Sequence, residues 1–108
     1  MADLAQRSCV PCQGGIPPLA ADESERLSSQ LDAGWEVIAN HHLMRNFEFT
    51  DFASALEFVN RVGQLAEREG HHPEIYLTWG RVGIQLWTHK VDGLTESDFI
   101  LAAKIDQL

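Results

Sequence analysis

One long helix with a marked start and a marked stop constrains this chain more than any other feature. Phe52, Ala55, Leu56, Val59, Val62, Gly63 and Ala66 recur at the i, i+3, i+4, i+7 spacing of a single apolar face. Thr50 or Asp51 can cap the start, because a short oxygen-bearing side chain accepts an orphan backbone N–H there. Gly70 supplies a left-handed stop. Pro73 then prevents the helix from resuming and pushes His72 toward extended backbone. Such a face must be buried on another element, most simply on one face of a sheet.

The flanking segments supply that sheet. Trp35, Val37 and Ala39 alternate with Glu36 and Asn40, Asn40-His41-His42 reads as a turn, and Leu43 to Thr50 reads as a returning strand. After the helix, Ile75, Leu77 and Trp79 alternate with Tyr76 and Thr78. Gly80-Arg81 turns the chain, and Val82, Ile84 and Leu86 alternate with Gln85, Trp87 and His89. A first helix is predicted over about 22–32, with Asp22-x-x-Glu25 as a capping box, Leu27 and Leu31 as its stripe, and Gly34 as its stop. A last helix opens at the capping box Thr95-x-x-Asp98 and runs to about Leu108. The order predicts an α+β fold, α-β-β-α-β-β-α, with a four-stranded antiparallel sheet carrying helices on one face. Residues 1–18, with Gly14-Gly15 and Pro17-Pro18, read as an irregular N-terminal arm, and 19–108 as a single domain. The free sheet edges invite pairing with a second copy.

The 108 residues suffice for one domain with one core. A formal charge of −8 repels nucleic-acid phosphates and anionic membranes, so neither is an expected partner. The start lacks an apolar signal region, and a soluble cytoplasmic protein is expected. The two cysteines stand in Cys9-Val10-Pro11-Cys12. A structural zinc needs about four ligands, and no second pair occurs, so the reading is a loosely held arm without a required metal.

Candidate chemistry lies between Glu67 and Asp98, where three of the five histidines fall. Histidine alone can give or take a proton near neutrality with an ordinary pKa. His71 and His72 follow the helix stop, and adjacent extended residues point opposite ways, so the two rings should have different jobs. That geometry, and the lack of an HExxH spacing, also argue against a metal held by His71, His72 and His89. Glu67 sits in the last helical turn, where a carboxylate is mildly unfavourable, so it is either simply solvated or orients a histidine or a substrate N–H. Trp79 is either a core anchor, as its parity suggests, or a stacking wall for a flat ligand. Asp98 is already explained by capping. His41-His42, as a solvated hairpin turn, serves as a control.

Glu67, His71-His72-Pro73, Trp79, His89 and Asp98, in this order and at these intervals, resemble the signature of the pterin-4a-carbinolamine dehydratases. The likeness runs from about Cys9 to the C-terminus, including Trp35, the Arg45-x-Phe47-x-Phe49 strand and the Asp98-Phe99-Ile100 helix start. One departure is Ile75, where many animal members carry an aromatic residue. The resemblance implies the fold above, sheet-joined dimers or tetramers, and no cofactor or metal. It implies dehydration of 4a-hydroxytetrahydropterin to quinonoid dihydropterin, recycling the pterin of aromatic amino-acid hydroxylases. It implies His71, His72 and His89 as catalytic or substrate-binding residues, supported by Glu67, with Pro73, Trp79 and Asp98 at the substrate. Dehydratase-like proteins of this fold also assist RuBisCO assembly in plants and α-carboxysome bacteria, and animal members act as dimerisation cofactors of transcription factors. The ending from Gly93 to Asp106, Gly-Leu-Thr-Glu-Ser-Asp-Phe-Ile-Leu-Ala-Ala-Lys-Ile-Asp, resembles both bacterial dehydratases and the assembly factors. A non-enzymatic chaperone for RuBisCO is therefore the alternative.

Overall fold

A computed structural model describes residues 4–9 and 16–108; Cys12 lies outside them. In chain order come a 3-10 turn at Leu4–Gln6, α1 (Ala21–Ser28), β1 (Glu36–Ile38), β2 (His42–Glu48), α2 (Phe52–Glu69), β3 (Glu74–Thr78), β4 (Arg81–Leu86) and α3 (Glu96–Ile105). The fold is α+β, with an antiparallel four-stranded sheet in the order β1-β2-β4-β3. The two hairpins therefore meet through β2 and β4, in the register Leu43↔Leu86, Arg45↔Ile84 and Phe47↔Val82. That pairing sets the start of β2 beside the end of β4.

Asp51 begins α2 by accepting the backbone N–H of Ser54 at 2.7 Å, and Gly70 ends it at φ 65°. A side chain would be strained at that φ, which is why glycine stops the helix there. The helices cover one face of the sheet. Leu43, Val82, Ile84 and Leu86 have no exposed surface and pack with Ala55 and Val62 of α2 and with Phe99 and Leu101 of α3. α3 is buried almost all round, because the 3-10 turn, α2 and α1 lie against it and its side chains share one core with the sheet.

Four details differ from the sequence reading. The first helix ends at Ser28, well before Gly34, and starts after Ala20 without a side-chain cap, so the Asp22/Glu25 box is not used. In α2 the apolar arc is wider than the buried one. Ala55, Val62, Leu65 and Ala66 are buried, whereas Phe52 and Leu56, on the flank of that stripe, are exposed. The first hairpin turns at Ala39 and Asn40, with φ of 52° and 51°, closed by His41 N–H to the Ile38 carbonyl at 2.8 Å. Both central residues of this β-turn have positive φ, and the loop between the paired Ile38 and His42 is three residues long, so His41 belongs to the turn and His42 begins β2. Trp79 is not a core residue. It shares the second hairpin's turn with Gly80, because Thr78 pairs with Arg81, and it is 68% exposed.

The described part of the arm is folded onto the domain. Leu4 enters the core, Lys104 donates to the Ala5 carbonyl, and the Cys9 N–H donates to Glu69 at 3.0 Å. Burial, aided by the Glu69 charge, pushes the Cys9 thiol up to about 12. A thiol so resistant to ionising is a poor nucleophile or metal ligand.

Candidate active site

The turn after α2 separates the rings of His71 and His72, as extended backbone demands. His71 goes inward. Its Nε2 lies 2.6 Å from Oδ1 of Asp98, a side chain with no exposed surface. A carboxylate can only accept, so His71 carries its proton on Nε2 and leaves Nδ1 as the basic nitrogen. His72 stays outside, 61% exposed, with Nε2 2.8 Å from Oε1 of Glu67. Glu67 therefore orients a histidine, although 79% of its own side chain is in solvent.

Asp98 serves two structures at once. Its second oxygen, Oδ2, accepts the backbone N–H of Thr95 and the hydroxyl of Thr88, each at 2.9 Å. The first bond belongs to the capping box of α3. The second ties the helix to the segment that carries His89. Capping and orienting a histidine thus use different oxygens of one carboxylate.

His89 is set by a ring contact. It stacks on Trp87 with centroids 4.4 Å apart and planes 15° apart. The loop that holds it closes through Thr88 N–H to the Gly93 carbonyl at 2.8 Å. Gly93 is needed there, because a β-carbon would stand 2.6 Å from Cβ of Pro18. Pro73 leads into β3, directly after the two histidines. Trp79 lies at the far end of β3, about 20 Å along the strand from His72, and the fold does not bring it to the histidines of its own chain.

The sequence reading missed the neighbours of His89. His41 and His42 are not a free turn. Their rings lie 5.5 and 5.9 Å from that of Trp87, on the side of the sheet where β2 meets β4. His41 Nε2 is 2.8 Å from Oδ1 of Asp92, and the Nδ1 atoms of His41 and His42 are 3.1 Å apart. The signal was the shared parity of Trp87 and His89, but it points to His42 only once β2 is paired with β4. Burial, then the neighbouring His41, lowers the pKa of His42 below 6.5, against an opposing pull from Glu74. Among the described residues no group of three or more His, Cys, Asp or Glu is arranged to hold a metal ion. No helix among them is long and apolar enough to cross a membrane.

Residues 17–108 match the family model described as pterin 4 alpha carbinolamine dehydratase. A protein of Rubrobacter xylanophilus, provisionally named a pterin-4-alpha-carbinolamine dehydratase, is 59% identical over 108 residues, the full length of both chains. A protein of the same provisional name from Alkaliphilus metalliredigens is 55% identical over 107 residues, 99% of this chain and 96% of that one. Among solved structures, a transcriptional coactivator/pterin dehydratase from Brucella melitensis superposes with a TM-score of 0.78. It is 33% identical, over 83% of this chain and 96% of that one. A pterin dehydratase-like protein described as a RuBisCO assembly factor in the α-carboxysome superposes with a TM-score of 0.59. It is 25% identical, over 68% of this chain and 87% of that one.

Proposed function

This chain belongs to the pterin 4 alpha carbinolamine dehydratase family, and we propose that it dehydrates 4a-hydroxytetrahydropterin to quinonoid dihydropterin by histidine acid–base catalysis. Loss of water from a carbinolamine needs a proton delivered to the leaving hydroxyl and one removed from the adjacent ring nitrogen. The observation that carries the reading is the pairing of His71 with the buried Asp98 at 2.6 Å. Asp98 fixes the tautomer, so Nδ1 of His71 takes the proton from the ring nitrogen, and the resulting imidazolium sits against a carboxylate. His89, held by its stack on Trp87, delivers the other proton. His72, oriented by Glu67, contacts the pterin more than it moves protons. Pro73 holds the His71-His72 corner, and Trp79 stays outside the site of its own chain. No cofactor or metal is required.

The same reading assigns a homodimer or tetramer. The outer strands β1 and β3 leave backbone groups for a second sheet, and the exposed Phe52 and Leu56 flank α2. Recycling a dissolved pterin places the protein in the cytoplasm. Purified protein should speed dehydration of freshly generated 4a-hydroxytetrahydropterin over buffer alone; an unchanged rate would overturn the enzyme reading.

The second reading is a dehydratase-like assembly factor for RuBisCO, with the large subunit as partner. It is favoured by the likeness to the α-carboxysome assembly factor. Co-expression would support it if this chain raised the yield of assembled RuBisCO, and an unchanged yield would dismiss it.

A further inference from the structure

Three residues outside the family signature form a hydrogen-bonded line that ends against Trp87, the ring on which His89 stacks. We propose that Asp92, His41 and His42 are a proton relay for the dehydration, with Nε2 of His42 as the working end. The inference rests on the dehydratase reading.

The line begins at Asp92, in the loop that also carries His89. Its Oδ1 is 2.8 Å from His41 Nε2, and His41 Nδ1 is 3.1 Å from His42 Nδ1. A carboxylate only accepts, so His41 Nε2 donates to Asp92. One proton then remains to be shared between the two Nδ1 atoms. In the neutral pair His42 donates it, which leaves His42 Nε2 with a free lone pair. When Nε2 accepts a proton from solvent, the Nδ1–H bond of His42 breaks and an Nδ1–H bond forms on His41. The positive charge settles on His41, beside the Asp92 carboxylate. The reverse transfer restores the pair and releases the proton, through solvent, to His89 once that ring has given its own to the leaving hydroxyl, so the relay reloads the acid of the reaction.

Position favours this over a solvated turn. Asp92 and His41 are 51 residues apart, and it is the β2–β4 pairing that joins them. Both histidine rings lie against Trp87, whose ring also stacks on His89. The relay and His89 thus contact one and the same indole. The charged groups that act on His42 are His41 from its own hairpin and Glu74 from β3, while Asp92, from the loop after β4, faces His41. Burial and His41 outweigh Glu74 and favour the neutral form of His42, the state in which the relay accepts. His42 is the residue that exchanges the proton; His41 and Asp92 act through it as positioning residues.

The test is the pH profile of dehydration for the wild type, His42→Gln, Asp92→Asn and His71→Ala. Asp92 has an 87% exposed side chain, so its replacement leaves the fold intact. Asp92→Asn removes the charge that stabilises the His41 imidazolium, and the relay becomes a weaker base. The expected result is a kcat lowered about 10-fold with little change in KM, and an acid limb moved to lower pH. His42→Gln should lose roughly 10-fold or more in kcat and the relay's share of that limb. Wild-type kcat and profile in both variants, with His71→Ala impaired, would overturn the relay and leave the dehydratase reading standing. A wild type no faster than buffer would overturn both.

Discussion

Nε2 of His71 lies 2.6 Å from Oδ1 of Asp98, a carboxylate wholly withdrawn from solvent and 27 residues further along the chain. The other oxygen of Asp98 holds the first turn of α3 and the hydroxyl of Thr88. One buried acid therefore couples the orientation of a candidate base to the start of a core helix.

This coupling separates two substitutions of Asp98. Asp98→Asn keeps an oxygen for the helix cap but removes the charge from the histidine, so activity should fall roughly 10²-fold with modest loss of stability. Asp98→Ala also strips partners from His71, Thr88 and Thr95, and should cost about 2–3 kcal/mol of stability. Steady-state kinetics beside denaturant unfolding distinguishes them. Equal activity in Asp98→Asn and the wild type would remove Asp98 from the site.

Glu67 and His72 form an exposed pair, and their mutual attraction is screened by water. Glu67→Gln should change stability by less than about 1 kcal/mol. Kinetically, His72→Ala should raise KM more than it lowers kcat. A fall in kcat matching that of His71→Ala would show that both rings move protons.

Away from the site, Asp106 accepts from Trp35 Nε1 at 2.8 Å and from Arg45 at 2.9 Å. Burial raises its pKa, although these donors oppose the shift. Asp106→Ala leaves an indole N–H and a guanidinium without their partner in a largely enclosed place. We expect a loss of about 2–4 kcal/mol in chemical unfolding. A loss below about 1 kcal/mol would mean that Asp32, 3.2 Å from Arg45, takes over the ion pair.

The lowered pKa of His42 gives a signed pH effect on stability. The unfolded ring takes up a proton near 6.5, and the folded ring does so only at lower pH. The unfolded state therefore binds more protons in the window just below 6.5, and stability must fall as pH drops through that window. His42→Gln should flatten this part of the stability–pH curve. An unaltered slope would show that His42 does not contribute it.

Much of this was legible in the sequence because it is encoded locally. Asp51, the stripe through Ala55 and Val62, and Gly70 specify α2 by themselves, and the His-His-Pro corner fixes opposite directions for two rings. The pairing of β2 with β4 is not local. It is set by how two hairpins pack under the helices, so His42 and Trp87 could not be placed together from residue patterns. Trp79 shows the converse limit. Its parity fits a strand, but the register of a two-residue turn moves it into solvent. Phe52 and Leu56 continue an apolar period that the core does not use.

If His71, held by Asp98, takes a proton in a pterin dehydration, removing its ring must slow that reaction. The most direct measurement is the rate of dehydration of 4a-hydroxytetrahydropterin with wild-type protein and with His71→Ala, both checked for equal folding. Clear acceleration by the wild type over buffer is expected, with a loss of roughly 10²-fold or more in the variant. No acceleration by the wild type, or equal rates for the two proteins, would contradict it.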